Sequence, residues 1–123
     1  VFLKAELRSG VETVLDLVRF DEKLEGVSLV VSGEGAPDWQ SAFGKVIRGV
    51  GMRCKAKGIP AVALSGSMGR GAEDIYDHGI ESIQTAVNAP MPLPEAMDRA
   101  EGLYLNAARR MFRMLRAGQK MKI

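Results

Sequence analysis

The sequence predicts an α/β protein, a three-layer sandwich around a parallel sheet of about three strands. Three observations carry this. Short apolar runs recur at 27–32, 59–65 and 80–87, too short for helices and too continuous for strands with one wet face. Segments with helical apolar spacing separate them, and strand–helix–strand alternation pairs strands in parallel through right-handed crossovers. The first two runs also open into glycine-rich stretches, Gly33-Glu34-Gly35 and Ser65-Gly66-Ser67-Met68-Gly69-Arg70-Gly71, which is how a chain leaves a strand to cross a sheet.

Each element has a local cause. Ser9-Gly10-Val11-Glu12 has the S-x-x-E spacing of a capping box, so a helix should follow. Val11, Val14, Leu15 and Val18 would bury one stripe of it up to about Phe20. Val27 to Ser32 reads as the first buried strand. Phe43, Val46, Ile47, Val50 and Cys54 then recur at helical spacing, with Lys55 and Lys57 in the last turn and Gly58 at the left-handed stop. Ile59 to Ser65 is the second strand. Ala72 to His78 makes a short helix, opened by Glu73 and Asp74 at its positive end and stopped by Gly79. Ile80 to Val87 is the third strand. Pro90, Pro92 and Pro94 punctuate a connector to one long closing helix with a stripe of Met97, Ala100, Tyr104, Ala107 or Ala108, Met111 and Leu115.

Composition bounds what such a domain does. The 123 residues carry 17 Lys plus Arg against 15 Asp plus Glu, with 46% hydrophobic and 26% charged residues, values of a globular chain with room for a core. Residues 109–122 hold six bases and no acid, leaving 11 bases against 15 acids elsewhere. Those cations suit the negative end of a terminal helix, and no aromatic residues interleave with them as nucleic-acid stacking needs. A nucleic-acid partner is therefore not expected. One cysteine, no secretory leader and no apolar run of about 18 residues argue for a cytoplasmic protein without a membrane partner. The chain begins at Val1 rather than Met and its three strands make a thin sheet, so the expectation is a piece of something longer, completed by further strands from another segment or chain.

Ligands of open parallel sheets sit at the carboxyl ends of the strands. The stretch Ser32 to Lys45 concentrates Glu34, Asp38, Gln40, Ser41, Lys45 and glycines 33, 35 and 44 there. Close backbone amides, a helix start, a cation and two carboxylates suit phosphoryl transfer. The same residues also read as a tight turn, a helix cap and a solvated lysine, and neither G-x-x-x-x-G-K-[ST] nor G-x-G-x-x-G is present. His78 has no partner ligand nearby in sequence, Cys54 reads as a buried thiol, and the methionines read as core filler.

Ser32-Gly33-Glu34-Gly35, Asp38, Gln40-Ser41 and Gly44-Lys45, then Gly49-Val50 and Lys57 through Gly66, closely resemble the signature stretch of bacterial glycerate kinases. The likeness runs on through Ile75 to Ile80, Pro92-Leu93, Glu95-Ala96-Met97 and the Arg-rich end, and back to Ser9. The resemblance implies ATP-dependent phosphorylation of D-glycerate to 2-phosphoglycerate with Mg²⁺. It implies Glu34 and Asp38 as carboxylates that hold the metal or deprotonate the hydroxyl, and Lys45 with the Gly33 and Gly35 amides as anion contacts. Ser32, Gln40, Ser41 and Gly44 would orient the ligand, and Gly66 and Ser67 would line the second rim.

Members of that family are longer, with an N-terminal segment and an inserted domain. Residues 1–123 would then be the C-terminal part of a Rossmann-like domain in a two-domain kinase, inactive alone, with the missing N-terminal part, another chain or a second copy in a homodimer as partner. The chain also departs from the family where it has Ala36, Pro37 and Ile47 in place of the usual Arg, bulky aliphatic and Pro. Two alternatives therefore stand beside the main reading: a non-catalytic module that binds a nucleotide or partner, and a kinase for another small hydroxy acid.

Overall fold

The computed structural model describes residues 10–34, 42–68 and 71–122, with the backbone alone at 34 and 42–44. In chain order these form α1 (Gly10–Leu17), α2 (Phe20–Lys23), β1 (Val30–Glu34), α3 (Ala42–Lys57), β2 (Ala61–Ser65), a 3-10 helix (Ala72–His78), β3 (Ile80–Thr85), α4 (Leu93–Asp98) and α5 (Ala100–Lys120). The strands form one parallel sheet in the order β1-β2-β3. Helix α3 packs on one face with α1 and the 3-10 helix, and α5 packs on the other over β2 and β3. The expected three-layer α/β sandwich is therefore the observed one.

Side chains of β2 alternate between the layers, as a central strand requires. Ala61 and Ala63 join Ile47, Val50 and Cys54 of α3 in the main core, while Leu64 packs against Leu103 and Ala107 of α5. On β3, Ile80 and Ile83 share the α3 core although they are three apart, a spacing that in a regular strand faces opposite ways. A bulge resolves this: Ala61 pairs with Ile80 but Val62 pairs with Ser82, leaving Glu81 as an extra residue.

The α3 layer is held by unusually close backbone approach. A Cβ on Gly51 would collide with the His78 carbonyl, and one on Gly79, at φ 87°, with the Gly51 carbonyl. Two glycines are needed for α3 to lie on the start of β3. Two residues earlier, a Cβ on Gly49 would strike Val11 of α1. Arg53 then ties α1 and α2 to α3, with one guanidinium nitrogen 2.7 Å from Glu12 and 2.9 Å from Asp16, and the other 3.0 Å from Asp21. Three carboxylates converging on one side chain raise the pKa of that guanidinium, Glu12 contributing most.

Several expectations change. The first helix ends at Leu17, not Phe20, because Arg19 turns left-handed at φ 55° and starts α2. Of its predicted stripe only Leu15 is buried, with Val11 half-buried and Val14 and Val18 exposed. An eight-residue helix reaches α3 only along Val11 and Leu15, one turn apart. Ser9, the capping half of the expected box, lies outside the described residues. Strand β1 begins at Val30 and continues through Gly33 and Glu34, since its ladder with β2 runs to the Glu34–Ser65 pair. Strands β2 and β3 are shorter than expected, at Ala61–Ser65 and Ile80–Thr85. The short helix expected at 72–78 is present with those bounds and is of the 3-10 type.

The single closing helix is two, α4 and α5, broken at Arg99. The break leaves Met97 exposed and makes Leu103, Ala107 and Met111 the buried seam, so Leu103 replaces Met97 in the predicted stripe. Cys54 is fully buried, as expected, and burial together with the negative charge of Asp21 pushes its thiol pKa up. Among the described residues no helix is long and apolar enough to cross a membrane.

Candidate functional site at the carboxyl rim of the sheet

The three parallel strands end side by side at Glu34, Ser65 and Thr85, and the chain after β2 and β3 forms the described part of the rim. The exits of β2 and β3 are built alike. Ser65 is fully buried and its Oγ donates to the Ser67 carbonyl at 2.9 Å; Thr85 Oγ1 donates to the Val87 carbonyl at 3.2 Å. Each hydroxyl closes its own turn two residues on. The two turns are joined to each other by Ala86 N–H donating to Ser65 O at 2.7 Å and Val87 N–H to Gly66 O at 2.9 Å. From α5, Arg110 donates to the Thr85 carbonyl at 3.2 Å. A sill results, joined by backbone bonds between the two exits, with the exposed Arg110 bonded to one of them.

Beside this sill is a half-open cavity of about 170 Å³. Gly66 and Ser67 after β2 and Ala86 and Val87 after β3 form its floor, and α4 and α5 form its wall with Leu93, Met97, Leu103 and Tyr104. Among the described lining residues only Ser67 and Tyr104 carry a polar side-chain atom.

The residues expected to carry chemistry fall into three groups. Ser32, Gly33 and Glu34 form the last turn of the pleat in β1 rather than a loop, with Ser32 half-buried and Gly33 exposed. Because Val30 N–H donates to Pro60 O of the β2 side, alternation directs the Gly33 N–H away from β2, toward the outer edge. A Cβ at Gly33 would meet only the Leu64 carbonyl at an ordinary 3.5 Å, so the fold itself does not demand glycine there. Gly44 and Lys45 lie in the first turn of α3, Lys45 exposed. Gly66 and Ser67 stand on the β2 exit as expected. Gly35, Asp38, Gln40 and Ser41 lie outside the described residues, as do Ala36 and Pro37. Ile47 is a fully buried core residue of α3.

Sequence reading missed the paired hydroxyl turns and the apolar cavity. The signal for the turns was present, a Ser or Thr closing each apolar run just before Gly66 or Ala86. The cavity had none, because it exists only through the break at Arg99 that swings α4 across the rim. His78 donates its Nδ1–H to the Asp74 carbonyl at 3.0 Å, within its own helix. Among the described residues no group of three His, Cys, Asp or Glu side chains gathers as metal ligands.

Comparison with known proteins follows the same lines. Residues 1–116 match the sequence model of the glycerate kinase family. A glycerate kinase from Halalkalibacterium halodurans is 40% identical over 108 residues, which is 88% of this chain and 28% of that protein. The glycerate 2-kinase of Escherichia coli K12 is 32% identical over 119 residues, 97% of this chain and 31% of that protein. A crystal structure of a Salmonella typhimurium LT2 protein described as glycerate kinase 2 superposes with a TM-score of 0.70 at 30% identity, covering 98% of this chain and 30% of that one. The chain thus spans under a third of the length of each of these relatives.

Proposed function

The chain belongs to the glycerate kinase family, and from that membership we propose that it is the C-terminal portion of a cytoplasmic two-domain kinase that phosphorylates D-glycerate at the expense of ATP, giving 2-phosphoglycerate. The observation that carries the reading is the family match over almost the whole chain, with Ser32-Gly33-Glu34 at the end of a parallel strand. A glycerate hydroxyl oxygen attacks the γ-phosphorus, the new O–P bond forms as the bond to the β,γ-bridging oxygen breaks, and ADP leaves. The hydroxyl proton passes to a carboxylate, for which Glu34 and Asp38 are the candidates. The outward N–H of Gly33 and the ammonium of Lys45 offer positive partners for phosphate oxygens. The oxygen donors of Glu34 and Asp38 also fit Mg²⁺, which when bound neutralises phosphate charge and orients the transferred group. The remaining two thirds of the relatives' length is assigned the task of completing the site.

The test is glycerate-dependent ADP release by the full polypeptide, with ³¹P NMR to identify the product. Asp38→Asn and Glu34→Gln should each lower turnover by about a thousandfold or more with an unchanged melting temperature. Near-normal turnover in both would overturn the assignment. The non-catalytic alternative is favoured by Ala36 and Pro37 in the signature loop, and it expects nucleotide binding without phosphate transfer from any hydroxy acid.

A further inference from the structure

We propose that the apolar cavity between α4, α5 and the exits of β2 and β3 seats the base of the nucleoside triphosphate. The inference rests on the kinase reading for the identity of the ligand, and on the cavity's own geometry for its place.

Four features lead there. Position comes first: the cavity opens at the carboxyl ends of the strands, where ligands of open parallel sheets bind. Size comes next. At about 170 Å³ it is well below the several hundred Å³ of pockets that enclose a whole drug-sized ligand, but an apolar void of about 150 Å³ is enough for a benzene ring. A single ring system whose edge emerges through the open side is the object that fits.

Chemistry is the third feature. Walls of Val87, Leu93, Met97, Leu103 and the Tyr104 ring would charge a heavy desolvation cost to a phosphate or a hydroxy acid. They favour the faces of an aromatic base, which gains burial, ring contact with Tyr104 and a thioether contact with Met97. The fourth is reach. The exit of β3 lies two strand spacings, about 10 Å, from the end of β1 at Glu34. Ribose and triphosphate of one nucleotide span that gap, so a base held here directs the γ-phosphate across the β2 exit toward the end of β1. The sill suits the purpose, since its backbone bonds hold Gly66 and Val87 in place before any ligand arrives.

The test uses the full polypeptide and one cavity-filling variant, Ala96→Phe, whose ring occupies the space from α4. Dissociation constants for ATP and for adenosine should rise by about tenfold or more, while that for inorganic triphosphate stays within about twofold. In the unsubstituted protein, adenosine protons H2 and H8 should give nuclear Overhauser signals to the ¹³C-labelled methyl of Met97, identified by its disappearance in Met97→Leu. That signal decides the matter by itself if Ala96→Phe fails to fold. Unchanged adenosine and ATP affinity in a folded Ala96→Phe, or absence of the Met97 signal under saturating adenosine, overturns the base site even when glycerate is still phosphorylated. Conversely, a Met97 signal that vanishes when the cavity is filled, in a protein that transfers no phosphate to glycerate, keeps the base site and overturns the kinase reading.

Discussion

The two faces of the sheet are built on different terms. On the α3 side, α1, α2 and the 3-10 helix are drawn onto one continuous core by two backbone-to-backbone approaches at Gly51 and Gly79, and by Arg53 reaching three carboxylates. On the α5 side, the core is three buried residues, Ala86, Leu103 and Ala107. A cavity adjoins it, and Leu93, Met97, Phe112 and Met114 stand more than half exposed. The contrast teaches where adaptability resides. The α3 face fixes the start of β3 with no slack at Gly51 and Gly79, and its hollows lie along the edge lined by Lys57 and Ile59; the α5 face keeps an apolar cavity at the strand ends, where ligands of open parallel sheets enter.

The contrast can be broken most sharply at Gly51. Gly51→Val inserts a branched side chain into the His78 carbonyl and Ile80, and since backbone cannot step aside the expected loss is about 3 kcal/mol or more. Denaturant melts should show a collapsed midpoint or no folded protein. A midpoint near that of the parent would mean that α3 is free to lift from β3, and the two faces would then not differ as described.

A paired truncation sharpens the comparison. Ile47→Ala removes a fully buried side chain from the continuous core and should cost about 4 kcal/mol. Leu103→Ala on the other face, although Leu103 is only 2% exposed, borders a cavity that already interrupts its packing, so the expected cost is about 2 kcal/mol. Equal losses in urea titrations would contradict a sealed face opposite an adaptable one.

Arg53→Ala comes next in size. It leaves Glu12, Asp16 and Asp21 facing one another, but their side chains are 37%, 43% and 46% exposed and water screens them. The expected cost is therefore about 1–2 kcal/mol, shrinking in the parent-to-variant difference as salt is added. A salt-independent loss would point to packing of the Arg53 stem instead.

The smallest effect is at Cys54. Its folded pKa is raised above the ordinary 9.0, so the neutral thiol is the form the fold favours. The associated stability is complete below the unfolded thiol's pKa and declines as pH rises through the folded one. Labelling by a disulfide reagent at pH 8 should proceed only as fast as the protein opens, and Cys54→Ser should flatten the stability loss above pH 9. Rapid labelling of the folded chain would place the thiol nearer the surface than the core of α3.

Much of this fold was legible from spacing alone. Three apolar runs and the helix ending at Lys57-Gly58 are local features, and local features survive folding. What was not legible depended on tertiary contact. Arg19 carries no mark of its left-handed turn, the break at Arg99 interrupts an apolar period that continues through it, and Gly33 belongs to a strand only because Leu64 is there to pair with. For the candidate site the outcome is divided. The S-G-E-G string announced its own strand end, whereas the cavity is made of Leu, Met, Val and Ala, residues that read as core wherever they occur.

One residue in β3 governs more than its size implies. Glu81 is the extra member opposite the Ala61–Val62 step, and it acts as a phase shifter for everything after it. Were Glu81 instead paired with Val62 in an unbulged ladder, the alternation would rotate Ile83 out of the α3 core and move Ser82 and Gln84 into it. It would also send Ala86 away from α5. The apolar code of the last strand is thus readable only with the interruption counted, and a chain without the extra residue would build the same rim with apolar residues on strict alternation from the Ile80 position.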